Sequence, residues 1–307
     1  MKKIVILLIA SLLLLAGCEK SDSRDKLTVV ATLFPQYDFA KNIAGENADV
    51  TLLLDFGTDS HSYDPTPRDI MQIASADLFI YTGDSMELWA STILKSADIA
   101  DAVESGKLKV LDLSKNVTPV CIHGDEHGHS HNDYDPHIWT SPKNASAMCD
   151  AIFEAIKQLD GDNAEIYEKN LASYKEKLAA IDQELTRTVG EANKREVFFG
   201  GAFAFAYMFY DYGLSHESVY EGCASHAEPS ANDVVNVAKK AALSGAKFIV
   251  YDSETEKKTA ETIANEIGAE IIRMHAVHNI SKNEFSSGED YVSLMMGNVK
   301  TLGKALN

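Results

Sequence analysis

Basic residues are scarce in this chain. It carries 28 Lys and Arg against 46 Asp and Glu, which gives a formal net charge of −18 at pH 7. Nucleic-acid backbones bind to basic surfaces, so this balance excludes nucleic acid as a partner. The acidity favours solubility and a mild local enrichment of cations. The partners are therefore expected to be cations or proteins.

Cysteine is also scarce, with four residues in the chain, and their spacing matches no zinc-finger template. The sequence lacks the His-Glu-x-x-His helix of metalloproteases, the Gly-x-Ser-x-Gly elbow of serine hydrolases and any Gly-rich phosphate loop. These absences argue against an enzyme.

Long apolar runs are absent except at the beginning of the chain. Lys2 and Lys3 precede an apolar run over residues 4–15, which is shorter than the roughly 20 residues that span a bilayer. This pattern predicts a secretory signal peptide over residues 1–17. The tetrapeptide Leu-Ala-Gly-Cys that ends in Cys18 resembles the lipobox of bacterial lipoproteins, in which the cysteine carries the lipid.

Lipidation of Cys18 implies anchoring to the outer face of a bacterial cell membrane, or to its periplasmic side where two membranes are present. Residues 18–26 are polar and without periodicity, as expected of a flexible tether. The remaining cysteines would then share an exported compartment in which disulfides form. Three thiols are an odd number, so at least one stays free or pairs between chains. Cys223 has both Cys149 and Cys121 as candidate partners.

Short β-rich runs alternate with helical patterns in both halves of the chain. The alternation predicts an α/β fold with two lobes and central, mainly parallel sheets. The N-terminal lobe is expected over residues 27–160, with a His-rich loop at 121–135, and the C-terminal lobe over residues 194–307. Between them, apolar residues recur at nearly helical spacing, which predicts one long linking helix over residues 161–193. Shorter helices are expected over residues 87–96 and 202–212.

Three of the ten histidines lie at informative positions. His61 follows one predicted strand, and His275 follows another, over residues 270–274. Because open α/β sheets bind ligands beyond the carboxyl ends of their strands, both histidines are candidate ligands. His137 lies between two prolines, which restrict the backbone and leave the imidazole little entropy to lose. Together these positions predict a site shared by the two lobes.

Two motifs resemble the signature segments of a known family. They are Gly-x-Asp-x-His-x-Tyr-x-Pro-x-Pro around His61 and Asp-Pro-His-x-Trp-x-x-Pro around His137. Both are similar to those of the zinc and manganese solute-binding lipoproteins of bacterial ABC importers, from about Leu27 to the C-terminus. The resemblance implies a rigid long helix, a metal buried between the lobes, and delivery to a membrane permease driven by an ATPase. We expect a monomer. A zinc-dependent hydrolase and a surface adhesin with a structural metal site are the alternatives to such a metal-binding receptor.

The chain departs from this family at one ligand. Most members carry His or Glu at the position that Ala202 occupies here, so His61, His137 and His275 need one more donor to give zinc the four that it prefers. The element that contains His226 and Glu228 is the favoured source, with His278 or a water as alternatives. Glu228 is equally well explained as an acid near the beginning of a helix. Three imidazoles favour Zn²⁺, with Mn²⁺ as the alternative.

A second cluster of histidines lies in the His-rich loop. Residues 123–131 alternate His with Gly and acidic residues and cannot form a packed core. This composition predicts a weak accessory metal site. Its binding should depend strongly on pH, because imidazoles must be neutral to ligate a metal.

Overall fold

The structure, a computed structural model, describes residues 26–58, 62–120, 134–221, 230–252 and 254–307. No helix within these ranges is both long and apolar enough to cross a membrane. The strands are β1 (Leu27–Ala31), β2 (Ala48–Leu52), β3 (Leu78–Tyr81), β4 (Lys109–Asp112), β5 (Glu196–Phe203), β6 (Ser215–Glu221), β7 (Phe248–Tyr251) and β8 (Glu270–Arg273). The helices are α1 (Phe34–Ala44), α2 (Pro67–Ser75), α3 (Ala90–Ile93), α4 (Ala97–Glu104), α5 (Pro142–Leu159), α6 (Ala164–Glu191), α7 (Ala206–Tyr212), α8 (Ala231–Ser244), α9 (Glu254–Ile267), α10 (Lys282–Ser286) and α11 (Tyr291–Ala305).

The strands form two parallel sheets with the same topology. In the described ranges the order is β2-β1-β3-β4 in the first sheet and β6-β5-β7-β8 in the second. Each pair of neighbouring strands is parallel. The predicted α/β fold with two parallel sheets is therefore confirmed. The connections diverge between β1 and β3 in the first sheet and between β5 and β7 in the second. Such a divergence creates a crevice at the carboxyl ends of the strands, where sheets of this kind bind ligands.

The long helix α6 connects the two sheets. Its apolar residues repeat at helical spacing, so they form one stripe that packs inward. The helix contacts α1 and α5 on one side and α11 on the other. One apolar core consequently extends through both lobes. The buried residues of the stripe are Tyr167, Leu171, Tyr174, Leu178, Ile181, Leu185 and Val189.

The helix predicted over residues 202–212 begins later than expected. Ala202 and Phe203 belong to β5, where they pair with Tyr220 and Glu221 of β6, and the helix α7 begins at Ala206. The nearly continuous apolar and aromatic run in this region fits a strand as well as a helix. Pairing with β6, a polar strand that the sequence pattern did not predict, decides in favour of the strand.

The helix predicted over residues 87–96 is also largely wrong. Only the short helix α3 forms there, and a second helix, α4, follows over residues that were assigned no structure. Glu87, the first residue of the predicted helix, instead has its carboxylate buried in a polar contact between β1 and β3. Its carboxylate accepts the backbone N–H of Gly83, four residues earlier.

Glu87 is 1% exposed and lies at the carboxyl end of the first sheet. Its carboxylate accepts hydrogen bonds from the hydroxyls of Thr32 and Thr82 and from the backbone N–H groups of Thr82 and Gly83. These bonds favour the charged form, but burial disfavours it more strongly. Burial therefore raises the pKa of Glu87 to about 7.

The titration of Glu87 should be visible in the pH dependence of stability. A carboxyl with a raised pKa in the folded state binds its proton more tightly there, so its contribution to stability falls as pH rises from about 4.5 to about 7. The shift corresponds to about 3 kcal/mol over that window. We expect Glu87→Gln to remove this slope in urea unfolding measured between pH 4 and 8. The exposed Glu168→Gln is the control, and equal slopes in all three proteins would contradict the assignment.

Candidate metal centre

His137 is buried and held by its neighbour Asp135. The imidazole is 2% exposed. The Asp135 Oδ1 atom lies 3.0 Å from His137 Nδ1 and also accepts the His137 backbone N–H at 2.8 Å. This carboxylate favours the tautomer with the proton on Nδ1, so the lone pair is on Nε2, the nitrogen that would bind a metal. Carboxylates orient metal-binding histidines in this way.

The segment that carries His137 is fixed between the two lobes. Pro142 begins α5, and a 3-10 turn over Ile138–Thr140 precedes it. The indole of Trp139 contacts the His137 ring edge-on at 5.4 Å, and its Nε1–H donates to the carbonyl of Ala276 at 2.7 Å. From the second lobe, the hydroxyl of Tyr207 donates to the carbonyl of Asp135 at 3.0 Å. The His137 segment and the segment after β8 therefore meet at one junction.

His275 immediately follows β8 and Met274, one residue before Ala276 at this junction. Its backbone N–H donates to Asn298 Oδ1 at 2.7 Å, and Asn298 Nδ2 donates to its carbonyl at 2.8 Å. The backbone of His275 is thus fixed by helix α11. The predicted strand before it ends at Arg273, one residue earlier than expected.

The His275 imidazole already has partners on both nitrogens. Nδ1 accepts the backbone N–H of Val277 at 2.9 Å, and Nε2 lies 3.6 Å from Glu284 Oε1. The hydrogen bond with His275 lowers the pKa of Glu284. With Nδ1 as an acceptor, a neutral imidazole carries its proton on Nε2. Ligation of a metal by His275 therefore requires the ring to leave at least one of these partners.

The backbone next to His275 is strained. Val277 is buried and has a φ angle of 63°, in a region that a β-branched residue rarely adopts. Such outliers persist where surrounding contacts hold them, and they concentrate at functional sites. Here the flanking contacts are the Ala276 bond to Trp139 and the carbonyl of His278, which accepts the backbone N–H of Phe34 at 3.4 Å.

The structure describes two of the five candidate ligands, His137 and His275. His61, His226 and Glu228 lie outside the described residues, as does the His-rich stretch 123–131 and Cys18. Among the residues that are described, no group of three or more His, Cys, Asp or Glu is arranged to hold a metal ion. The complete ligand set therefore stays a prediction.

One candidate disulfide partner is now excluded. Cys149 lies on α5 as a free, fully buried thiol. Burial raises the pKa of this thiol, which disfavours the reactive thiolate. Of the two alternatives for Cys223, pairing with Cys149 is therefore excluded. Pairing with Cys121 stays untested, because Cys121 and Cys223 lie outside the described residues.

Two residues that contact the His275 imidazole carry no local signal in the sequence. They are Glu284 and Val277, and only the folded structure reveals these contacts. Asp135 and Trp139 are different, because both belong to the motif around His137. The spacing of that motif already indicated that the three residues act together.

The fold and the junction together define a class: a two-lobed α/β binding protein with a buried histidine between its lobes. Residues 29–305 match the sequence model of the ZnuA family, which is described as zinc-uptake complex component A, periplasmic. The chain belongs to this family.

Individual relatives agree with this assignment. The high-affinity zinc uptake system protein ZnuA of Bacillus subtilis (strain 168) is 35% identical over 313 residues, which cover 97% of this chain and 95% of that protein. The zinc-binding lipoprotein AdcA of Streptococcus pneumoniae serotype 4 is 31% identical over 307 residues, 98% of this chain and 60% of AdcA. The chain spans 55% to 60% of the streptococcal AdcA proteins that it matches.

A solved structure shows the same fold with zinc. The Zn(II)-bound ZnuA-like domain of Streptococcus pneumoniae AdcA superimposes with a TM-score of 0.77 at 27% identity, covering 92% of this chain and 99% of that domain.

The Asp135 contact predicts a measurable effect on metal binding. In Asp135→Asn the amide can donate to Nδ1, which would move the ring proton to Nε2 and block that nitrogen. Loss of an orienting carboxylate typically weakens metal binding by about 10-fold to 100-fold. We expect this loss in a zinc competition titration with a chromophoric chelator. Asp182→Asn, which alters a carboxylate bonded to Tyr212 on α7, is the matched control and should bind zinc as the unaltered protein does.

Proposed function

We propose that this protein is an extracytoplasmic receptor that binds a divalent transition metal, zinc, between its lobes and delivers it to the permease of an ABC importer. The observation that carries the proposal is the buried His137 ring, which Asp135 orients with Nε2 as the metal-binding nitrogen at the junction of the lobes. A prepared imidazole in that place fits capture of a metal ion. The names of the relatives, which refer to zinc binding and zinc uptake, support the same cargo.

The proposed ligands come from both lobes. His61 and His137 would come from the first lobe and His275 from the second, with His226 or Glu228 as the fourth donor. In the structure His275 contacts Val277 and Glu284, so zinc would have to compete for this imidazole. Three imidazoles match the borderline character of Zn²⁺ better than that of Mn²⁺.

A carrier role suits the site better than catalysis. His137 is 2% exposed, and its ring contacts the fully buried Trp139 edge-on. A hydrolase would have to admit a substrate to its metal-bound water. A receptor only has to enclose an ion, so we propose that the protein is not an enzyme. We also propose that it acts as a monomer.

The proposed location is outside the cytoplasmic membrane, held there by lipid on Cys18. The support is the lipobox-like tetrapeptide and the naming of the pneumococcal relative as a lipoprotein. We expect Cys18→Ala to move the protein from the membrane fraction to the soluble fraction of cells that export it. An unchanged membrane fraction for this variant would contradict anchoring through Cys18.

Metal titration tests the proposed function directly. We expect calorimetry of the protein without residues 1–18 to show one tight zinc site and weaker manganese binding. His61→Ala combined with His137→Ala should abolish the tight site. His216→Ala serves as a control, because His216 lies on β6 with its ring stacked on Phe203 and is not among the proposed ligands. The zinc affinity should fall as pH falls through the imidazole range, because protonated rings do not ligate. Zinc binding confined to the weak sites of the 123–131 loop would refute the receptor.

A further inference from the structure

A tight turn follows β2 at the carboxyl end of the first sheet. It consists of Asp55, Phe56, Gly57 and Thr58, and the backbone N–H of Thr58 donates to the carbonyl of Asp55 at 3.0 Å. Gly57, the third residue, has a φ angle of 82°, as type II turns require at that position. The turn leads directly into the segment that contains His61.

Asn279 of the second lobe holds both ends of this turn. Its Nδ2 group donates to the carbonyl of Asp55 at 2.9 Å and to that of Thr58 at 2.8 Å. Its Oδ1 accepts the backbone N–H of Ile280 at 2.8 Å. The side chain is 8% exposed, so these bonds form away from water, where an unmade bond is costly. The Asn279 amide thus donates both of its N–H groups to a single turn of the first lobe, which makes the contact specific to that turn.

An aromatic pair makes a second contact between the lobes at the same place. Phe56, the second residue of the turn, stacks on Phe285 of α10 with ring centroids 4.4 Å apart and an angle of 27° between the rings. The helix α10 is itself fixed by a capping box between Ser281 and Glu284. Phe285 therefore presents its ring from a defined position, and stacked pairs of this kind add to the energy of area burial.

The chain that follows the turn is anchored to the first lobe. The hydroxyl of Tyr63 donates to Asp69 Oδ2 at 2.8 Å, and its ring contacts Trp89 edge-on at 5.8 Å. Asp69 and Trp89 both belong to the first lobe. Asn279 of the second lobe thus contacts the turn 55–58, whereas Tyr63 contacts only residues of the first lobe in these two interactions.

We propose that Asn279 and Phe285 are positioning residues for metal binding. They hold the turn 55–58 against the segment after β8, which carries His275 and meets the His137 segment through Ala276. The clasp, defined as Asn279, Phe285 and the turn 55–58, thereby sets the spacing between the donors of the two lobes without touching the metal. This inference rests on the proposed function and adds to it the residues that couple the lobes.

Single variants of the clasp test the proposal. Asn279→Ala and Phe285→Ala should each weaken zinc binding by about 10-fold or more, with a faster zinc dissociation measured by transfer to a chromophoric chelator. Asn170→Ala is the matched control, since Asn170 Nδ2 also donates to a backbone carbonyl, that of Ile43, but does so between α6 and α1. Phe285→Tyr keeps the stacked ring and should retain the affinity.

A double-variant comparison separates positioning from general loss of packing. Phe56→Ala and Phe285→Ala remove the same contact, so the double variant should lose no more zinc affinity than either single variant. Three results would overturn the clasp while leaving the receptor intact. The losses in the double variant could be additive, Asn279→Ala and Phe285→Ala could bind zinc as the unaltered protein does, or Asn170→Ala could lose as much affinity as they do. Absence of tight zinc binding in the unaltered protein would overturn the receptor and this role of the clasp together.

Discussion

The hydrogen bond from the Trp139 indole to the carbonyl of Ala276 is the contact on which the arrangement of the site depends. Trp139 is fully buried, so its N–H needs a partner, and that partner lies in the other lobe 137 residues along the chain. The bond brings the His137 segment against the residues that follow β8. The Tyr291 hydroxyl, which donates to the Trp139 carbonyl, adds α11 to the same junction. The positions of His137 and His275 relative to each other therefore depend on the burial of the Trp139 indole.

The imidazoles of His137 and His275 have different hydrogen-bond partners. Asp135 accepts a hydrogen bond from His137 Nδ1–H, so the proton stays on Nδ1 and the lone pair is on Nε2. His275 is engaged by Val277 and Glu284 and carries its proton on Nε2. Ligation of a metal by His275 would therefore require its ring to leave at least one of these partners.

The rest of the molecule limits how far the lobes can move. The helix α6 packs on both lobes, and one core extends through them. Buried polar contacts reinforce this core: Tyr174 on α6 donates to Asp38 on α1 at 2.6 Å, and burial raises the pKa of Asp38 to about 6. Because the lobes share one core, a hinge motion of whole lobes would disrupt more contacts than a small adjustment of the loops at the junction.

The sequence by itself determined the two α/β halves, the long helix and the His137 motif, because periodicity and motif spacing are local and depend on residues close in the chain. It also pointed to His275 from its place after a strand. The tertiary structure decided what local pattern could not: that residues 202–203 extend β5, that Cys149 is a free thiol, that Glu284 competes for His275, and that Asn279 reaches a turn 224 residues away. Those outcomes depend on contacts between distant segments, which exist only once the chain has closed on itself and each buried polar group has found its partner.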